Sequence, residues 1–327
     1  MDLQKKIKDI GERGLLELFE GLIDEEDLPF NEDAVAFSIS PTHSLLVNID
    51  TFVAKTDAPP GMKVHEMGSK AVTMAVSDLA AKGAPPLHVL ASGAFPSDLT
   101  VKETIDLVKA IRDTAHSYGA KFLGGDTNEA DDIILSVVAI GIRDKKHIIR
   151  RSGAKEGDII CTTGEFGLTG AGFKVLLEGY NATPQQKELF KKAIFTPRAR
   201  VREGVYLANF GRISSCIDSS DGLVWSLKEI LRGKKALGIE IEHLPIPLEV
   251  LDFAKRNKLD AEELALFGGE EFELIFTLPE KDFENLQERL KCHKIGRIVK
   301  DEVKRIILNT KGQKEEIAIK GWEHFQE

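Results

Sequence analysis

The sequence predicts an α/β protein of two domains, each with a sheet flanked by helices. Three observations lead to this prediction. The chain has 327 residues, which exceeds the length that one hydrophobic core usually organises. Short apolar runs of strand length alternate with segments whose apolar residues recur at helical spacing. This alternation restarts after RRSGAKEGD, so we expect an N-terminal domain over residues 1–145 and a C-terminal domain over 146–327.

The elements predicted for the N-terminal domain begin with a helix. Leu15, Leu18 and Leu22 lie at helical intervals within residues 3–22, and an acidic stretch then breaks the pattern. The elements that follow are strands over 34–39 and 45–52, helices over 64–82 and 102–118, and the strands KFLG and IILSVVAIGI. The paired prolines of DAPPGM exclude a central strand between the second strand and the helix after it.

The C-terminal domain repeats the alternation of strands and helices. Its predicted elements are the strand IICTTG, a glycine-rich turn, helices as far as residue 209, the strand RISSCID, the helix GLVWSLKEILR and the strand ALGIEIE. Each predicted strand is a short run of residues that favour strands, bounded by glycine or polar residues. We therefore expect a second sheet with its own helices.

Composition and charge exclude several classes of function. The formal net charge of −9 and the sequence pI of about 5.5 argue against a nucleic-acid surface, which needs clustered basic residues. Cys161, Cys216 and Cys292 are odd in number and lack C-x-x-C spacing, which suggests neither a disulfide framework nor a thiolate zinc site. The N-terminus lacks the uninterrupted apolar core of a signal peptide, and no apolar run reaches membrane-spanning length. We expect a cytoplasmic protein without nucleic-acid or membrane partners.

Aspartates recur where apolar strands end in turns, and two more lie in or beside helical segments. Six fit this description: Asp33, Asp50, Asp78, Asp126, Asp218 and Asp221. Ligands bind at strand ends in α/β sheets, and Mg²⁺ prefers carboxylate oxygens that it can bridge to substrate phosphates. An aspartate at such a junction can also simply cap a helix, and this alternative stays open for each residue taken alone. The joint pattern favours several metal ions and a phosphorylated ligand.

The sequence lacks the common motifs for holding a nucleotide. It contains no G-x-x-x-x-G-K-[ST] and no kinase set of glycine loop and H-R-D. Glycines cluster at 124–125, at 164–172 and at 268–269, where backbone N–H groups can approach phosphate oxygens. Arg151 can pair with a phosphate through its planar guanidinium, although a structural ion pair is an open alternative. A nucleotide would therefore be held by metal ions, glycine turns and this arginine.

Six segments follow one another in an order typical of a single family. They are KAVTMAVSDLAAKGAPP, GGDTN, RSGAKEGDIICTTGEFG, IDSSDGL, GGEEFELIFTLP and GWEHF. In order and approximate spacing they resemble the thiamine-monophosphate kinases, within the superfamily that includes aminoimidazole ribonucleotide synthetase, selenophosphate synthetase and the hydrogenase-maturation dehydratase. The resemblance implies the two-domain aminoimidazole ribonucleotide synthetase-like fold, with mixed sheets flanked by helices. It also implies a homodimer in which the N-terminal sheets meet, with ATP in a cleft between the domains.

The resemblance further implies an activity and a set of site residues. The activity is direct transfer of the γ-phosphoryl group of ATP to thiamine monophosphate, through several Mg²⁺ ions. The six aspartates above match the family's metal ligands by position. The implied nucleotide contacts are Gly125, Asp126, Arg151 and Ser220. The implied substrate contacts are Asp57, Glu270 and Trp322. No general base is assigned, because the acceptor is a phosphate oxygen that is already largely ionised near neutral pH.

Three positions depart from the commoner bacterial pattern. NEDAVAF stands where bacterial relatives have GDDAA, and Glu32 is the candidate substitute for the missing acidic neighbour of Asp33. Asp57 stands where many relatives have a histidine, which resembles the archaeal branch of the family. GGEEFEL replaces the commoner GGEDYEL and keeps both outer glutamates. These departures bear mainly on the substrate pocket and on the number of metal ions.

Two other functions remain open from the sequence. An aminoimidazole ribonucleotide synthetase-like enzyme would share the ATP and metal residues, although GGEEFEL and GWEHF favour the kinase. A regulatory protein that binds a nucleotide without turnover would also retain the aspartates. Selenophosphate synthetase and the hydrogenase-maturation enzyme are disfavoured, because the first cysteine is Cys161 and the sequence ends in HFQE.

Overall fold

The chain is organised around two sheets. A computed structural model describes residues 6–234, 236–303, 305–310, 313–323 and 325. The strands of one sheet lie between residues 35 and 144, and those of the other lie between 158 and 316. This arrangement confirms the predicted α/β class with mixed sheets flanked by helices.

The elements of the N-terminal part agree closely with the predicted ones. They are α1 (Gly11–Phe19), β1 (Val35–Ser38), β2 (His43–Val53), α2 (Ala54–Asp57), α3 (Val64–Ala81), β3 (Pro86–Phe95), α4 (Val101–Ser117), β4 (Lys121–Phe122), β5 (Thr127–Glu129) and β6 (Ile134–Asp144). Short 3-10 turns cover Ile7–Asp9, Glu20–Leu22 and Lys145–His147. Strand β3 was not among the predicted elements, yet it lies inside the sheet.

The elements of the C-terminal part begin after a 3-10 turn at Arg151–Gly153. They are β7 (Asp158–Thr162), α5 (Leu168–Glu178), α6 (Pro184–Phe195), α7 (Val201–Phe210), β8 (Ser215–Asp218), α8 (Leu223–Ile230), β9 (Leu237–Ile241), α9 (Leu248–Asn257), α10 (Ala261–Phe267), β10 (Leu274–Pro279), α11 (Phe283–Gln287), β11 (His293–Lys300), β12 (Ile306–Thr310) and β13 (Gln313–Glu316). A further 3-10 turn covers Glu280–Asp282.

The N-terminal sheet has the strand order β1-β2-β6-β3-β4, with β5 also paired to β3. Neighbouring strands among β1, β2, β6 and β3 are antiparallel, whereas β4 and β5 run parallel to β3. Residues alternate between the two faces, so Leu135, Val137 and Ala139 of β6 enter a core with α3 and α4. On the opposite face, Phe37 and Ile49 are exposed.

Helix α3 forms because apolar residues fill its inward face and its first turn is capped. The Glu66 carboxylate accepts a hydrogen bond from the Lys63 backbone N–H at 2.7 Å, which satisfies one of the free donors at the helix start. Gly68 lets α4 approach, since a Cβ there would lie 2.7 Å from the Leu107 carbonyl oxygen. The helix ends before Gly83, whose φ of +72° favours glycine.

The C-terminal sheet has the strand order β13-β12-β9-β11-β7-β10-β8. Neighbouring strands are antiparallel except β12 and β9, which are parallel. Helix α8 packs Leu223, Leu227 and Ile230 into a core with the sheet. Strand β8 lies at one edge of the sheet, opposite β13, and it ends at Asp218 beside α3 of the N-terminal part.

The two parts of the chain meet where α3 crosses α7 and β8. Gly204 of α7 faces α3 so closely that a Cβ would lie 2.1 Å from the Ala80 carbonyl oxygen. Ser77 of α3 donates a hydrogen bond of 2.6 Å to the Asp218 carboxylate. This interface therefore places α3 next to the end of β8. None of the helices described is long and apolar enough to cross a membrane.

Candidate active site

Three of the predicted aspartates form a cluster at the interface between the two sheets. Asp33 precedes β1, Asp78 lies in α3, and Asp218 ends β8. Each offers a carboxylate oxygen, and these atoms lie within 4.8 Å of one another. Asp33 and Asp218 are buried and Asp78 is partly buried. Segments 45, 140 and 185 residues apart in sequence are thus joined by folding.

The three carboxylates differ in their electrostatic surroundings. Burial opposes ionisation of Asp33, but Arg151 and Lys82 outweigh it and lower the pKa below its usual value. Burial, and next the charges of Asp218 and Asp33, raise the pKa of Asp78 well above its usual value. Burial and the charge of Asp33 raise the pKa of Asp218 to about 7. Crowded carboxylates disfavour their own ionised forms, so this cluster favours a bound cation.

This cluster fits a divalent ion such as Mg²⁺. Its donors are hard carboxylate oxygens from three separate elements, close enough to converge on one ion. A cation between them would relieve the repulsion that raises the pKa values of Asp78 and Asp218. The Asn48 amide donates to the Asp78 carboxylate at 2.6 Å, which orients that side chain.

Buried cations already neutralise the acidic pair at 32–33. The Lys82 ammonium is fully buried and pairs with Glu32 and, at 2.7 Å, with Asp33. The Arg151 guanidinium also pairs with Asp33, and its backbone N–H donates to Glu32 at 2.8 Å. Burial lowers the pKa of Lys82, but Asp33 and Glu32 raise it above its usual value. Glu32 therefore serves as a partner for these cations and lies outside the group of three aspartates.

A small cavity opens beside the aspartate cluster. Its volume is about 290 Å³, and its lining includes Asp33, Asp78, Asp218 and Arg151. Leu16, Phe30 and Trp225 also line it. Arg151 pairs with Asp33 here and lies 3.4 Å from the Glu229 carboxylate. Arg151, which was predicted to contact the nucleotide, thus lines the small cavity and forms an ion pair with one aspartate of the cluster.

A larger cavity of about 910 Å³ lies between the N-terminal and C-terminal parts. Its lining includes the predicted site residues Asp50, Asp57, Ser220, Asp221, Glu270 and Trp322. Ser220 and Asp221 line both cavities, so the two spaces adjoin. This volume lies within the range of small-molecule pockets. The predicted substrate residues are therefore brought together around one cavity.

A buried lysine links two walls of the larger cavity. The Lys70 ammonium is fully buried, pairs with the Glu270 carboxylate at 2.6 Å, and donates to the Asp57 carbonyl oxygen at 2.8 Å. The Asp57 carboxylate itself accepts a hydrogen bond from the Val53 N–H at 2.7 Å. Burial raises the pKa of Glu270, against the opposing charge of Lys70. Glu270 has a φ of +65°, an uncommon backbone conformation for a residue with a side chain.

Trp322 lies at the edge of the larger cavity with 54% of its surface exposed. Its backbone N–H donates to the Asp221 carbonyl oxygen at 3.2 Å. Asp221 also meets Arg13 of α1, whose guanidinium lies 3.4 Å from its carboxylate. A predicted metal ligand and a predicted substrate contact are thus neighbours beside the N-terminal helix.

Asp126 lies away from the aspartate cluster, whereas Asp50 lies outside the group of three but close enough that its charge contributes to the raised pKa values of Asp78 and Asp218. Asp126 is exposed, just before β5, and its carbonyl oxygen accepts from Gly93 of β3 at 3.0 Å. Asp50 lies in β2, and β6 and β3 run between these two positions. Neighbouring strands lie about 4.8 Å apart, so the backbones at Asp50 and Asp126 are separated by about 14 Å across three such spacings. Gly125 packs so tightly on β3 that a Cβ would lie 1.8 Å from the Ala91 carbonyl oxygen.

Sequence reasoning missed Lys70, Lys82 and Arg13, which all contact predicted site residues. A signal existed for the first two, because Lys70 and Lys82 flank the apolar helical run AVTMAVSDLAA. A lysine is almost never fully buried unless it is paired. No comparable signal marks Arg13, since its partners lie more than 200 residues away.

Comparisons with known proteins identify the family of the chain. The family model for the N-terminal domain of AIR synthase related protein matches residues 31–143, and the model for its C-terminal domain matches 155–309. The thiamine-monophosphate kinase of Pyrococcus horikoshii is 38% identical over 86% of each chain, and that of Pyrococcus abyssi is 39% identical over the same shares. The solved structure of AaThiL complexed with AMPPCP and TMP has a TM-score of 0.85 and 25% identity, covering 99% of this chain and 100% of that one. The chain belongs to the thiamine-monophosphate kinase family.

Proposed function

We propose that this protein transfers the γ-phosphoryl group of ATP to thiamine monophosphate, giving thiamine diphosphate and ADP. The observation that carries the proposal is the partly neutralised cluster of Asp33, Asp78 and Asp218, which lines the small cavity where it adjoins the larger one. The relatives named above and the AMPPCP and TMP of AaThiL support these substrates. Phosphoryl transfer needs in-line positioning and charge neutralisation more than a dedicated base.

The chain's own residues supply positioning and charge. Arg151 provides a fixed positive charge beside the small cavity, and burial opposes its charge while Asp33 and Glu229 raise its pKa above the usual value. Gly125 and Ser220 offer backbone and hydroxyl contacts to a nucleotide. Glu270, Asp57 and Trp322 form the walls of the larger cavity, where an aromatic face and a carboxylate suit a flat cationic ring. No general base is assigned.

Several Mg²⁺ ions complete the proposed site. Asp33, Asp78 and Asp218 would hold one ion, while Asp50 and Asp221, which line the larger cavity, and the exposed Asp126 would serve further ions. When bound, Mg²⁺ neutralises phosphate charge and holds phosphates in position. Burial and the charges of neighbouring aspartates raise the pKa values of Asp78 and Asp218, and a cation at the cluster would favour their ionised forms.

One assay tests the proposed reaction. Purified protein with ATP and Mg²⁺ is incubated with and without thiamine monophosphate, and ADP and thiamine diphosphate are separated by chromatography. We expect the two products in equal amounts and only when thiamine monophosphate is present. ADP release without the acceptor would point to another ATP-dependent enzyme of the superfamily. ATP binding without any turnover would point to the regulatory alternative.

We propose a cytoplasmic homodimer that forms through the exposed face of the N-terminal sheet. Val35, Phe37 and Ile49 project from this face with exposed fractions of 40% or more. A contiguous apolar face of this kind is typical of protein interfaces. Charged substitution of Ile49 should give monomers in size-exclusion chromatography with light scattering, and a retained dimer would contradict the proposal.

A further inference from the structure

The two ends of the chain meet beside the larger cavity. Arg13 of α1 contacts the C-terminal segment, defined here as residues 321–323. Its Nη1 atom lies 2.8 Å from the Glu323 carboxylate, and its Nη2 atom donates to the Trp322 carbonyl oxygen at 2.9 Å. The Arg13 backbone N–H also donates to Glu323 at 3.2 Å. One arginine thus holds both the backbone and a side chain of this segment.

Stacking fixes the Arg13 guanidinium from a second direction. Its Cζ atom lies 3.3 Å from the centroid of the Trp225 ring in α8. Arginine planes on tryptophan faces are favourable contacts, and the stack leaves the edge of the guanidinium for hydrogen bonds. The Arg13 side chain is only 23% exposed. Arg13 is therefore an ordered link between α1, α8 and the C-terminal segment.

The C-terminal segment lies directly on the backbone next to Asp221. A Cβ at Gly321 would lie 2.6 Å from the Asp221 carbonyl oxygen and 3.2 Å from the Trp225 Cβ. The Trp322 N–H donates to the same carbonyl oxygen. This backbone fixes the Cα atom that carries the Trp322 ring at the edge of the larger cavity. That backbone is held by Arg13 on one side and Asp221 on the other.

We propose that Arg13 is a positioning residue for the acceptor substrate, because it holds the C-terminal segment so that Trp322 forms one wall of the larger cavity. This inference rests on the proposed function, in which thiamine monophosphate occupies that cavity. Arg13 lines the small cavity, whereas Trp322 lines the larger one. Arg13 acts on the acceptor through Trp322 and contacts no reacting atom.

The kinetic test uses Arg13→Met, which keeps an unbranched apolar stem and removes the charge and the planar guanidinium. We expect KM for thiamine monophosphate to rise at least about tenfold, because Trp322 would no longer be held in position to contact this substrate. KM for ATP and kcat should change less than about twofold. Arg13→Lys should recover little, because an ammonium cannot make the paired contacts and the stack. Arg112→Met is the control, since Arg112 is an exposed arginine of α4 that pairs with Asp113.

Fluorescence gives a readout that needs no turnover. The chain has two tryptophans, Trp225 and Trp322, so Trp225→Phe leaves Trp322 as the single reporter and keeps an aromatic face on which Arg13 can stack. In that background Arg13→Met should increase acrylamide quenching of Trp322 at least about twofold and shift its emission to longer wavelength. Glu323→Gln, which removes the ion pair from the other side, should change quenching in the same direction. It serves as the second variant if Arg13→Met does not fold.

The outcomes separate this inference from the proposed function. Unchanged KM for thiamine monophosphate and unchanged quenching in a folded Arg13→Met variant would overturn the role of Arg13. Equal rises in both KM values would also overturn it, because they indicate a general loss of structure. A wild-type protein that makes no thiamine diphosphate would overturn the proposed function, while quenching would still decide whether Arg13 holds the segment.

Discussion

Helix α3 carries buried charges in both halves, and the two halves are neutralised differently. In the first half, Lys70 pairs with Glu270 from the C-terminal part. In the second half, Asp78 faces Asp33 and Asp218, and Lys82, the residue directly after the helix, pairs with Glu32 and Asp33. The protein thus supplies carboxylates for its buried lysines but surrounds Asp78 with like charge. The lysine–carboxylate pairs link elements of the fold. The group of Asp33, Asp78 and Asp218 is suited to binding an added cation.

The largest expected effect breaks the structural half of this comparison. Lys70→Met should lower the free energy of unfolding by about 3–5 kcal/mol, because it leaves Glu270 buried without its cation. Glu270 Oε2 already has no hydrogen-bond partner among the residues that the structure describes. Chemical denaturation of the metal-free protein measures the change, with the exposed Lys63→Met as control. A combined Lys70→Met and Glu270→Gln variant should lose less than the sum of the two, and strict additivity would refute the link.

Asp78→Asn tests the other half. Phosphoryl transfer should fall about 10²- to 10³-fold, as for the loss of an electrostatic element that stabilises the transition state. The melting temperature of the metal-free protein should rise, because one of three crowded carboxylates loses its charge. Activity assays and thermal melts with and without Mg²⁺ measure both effects, and Asp113→Asn in α4 is the control. A variant that is less stable without metal would contradict the electrostatic account.

Asp126→Asn sharpens the comparison at an exposed position. We expect phosphoryl transfer to fall at least about a hundredfold if Asp126 serves a metal ion and the nucleotide. Because Asp126 is exposed, the melting temperature of the metal-free protein should stay within about 1 °C of the wild type. Unchanged turnover would remove Asp126 from the proposed set of metal ligands.

A smaller effect concerns a buried carboxylate outside the cluster. Glu271 accepts from the Gly167 N–H at 2.7 Å, and burial raises its pKa to about 7 against this hydrogen bond. Between its usual value near 4.5 and 7, the folded state holds a proton that the unfolded state has lost. Stability should therefore fall as pH rises through this window, by at most about 1.4 kcal/mol per pH unit. Glu271→Gln should flatten the slope in denaturation curves, and an equal slope would contradict this origin.

Local patterns predicted most of the elements. Helix α3 was expected over 64–82 and is observed at Val64–Ala81, because apolar spacing and capping act within a few residues. Strand β3 was missed since PLHVLASGAF begins with proline and is rich in alanine and glycine. Proline is tolerated at the first residue of a strand, and pairing with β6 overrides the weak local preference. The boundary near residue 145 stays a prediction.

The structure brings some of the predicted site residues together and shows contacts that the sequence could not predict. Asp33, Asp78 and Asp218 do converge, as expected for strand ends and a helix that meet at one interface. The counter-charges on Lys70 and Lys82 could not be assigned from sequence, because their partners come from separate loops. Arg13 depends on the two chain ends meeting, which no local pattern encodes. Family resemblance supplied the residue types, and only the fold shows which are neutralised.

Because Gly204 has no side chain, it affects whether the N-terminal and C-terminal halves of two related proteins can be joined in one chain. Helices α7 and α3 touch through their backbones there, so any side chain at this position would push the two sheets apart and pull Asp218 away from Asp78. A chimera that joins the first half of this chain to the second half of a relative should work only if the relative also carries glycine at this crossing. The absence of a side chain at this crossing is thus one requirement for combining the two halves, beside the ion pairs that also cross between them.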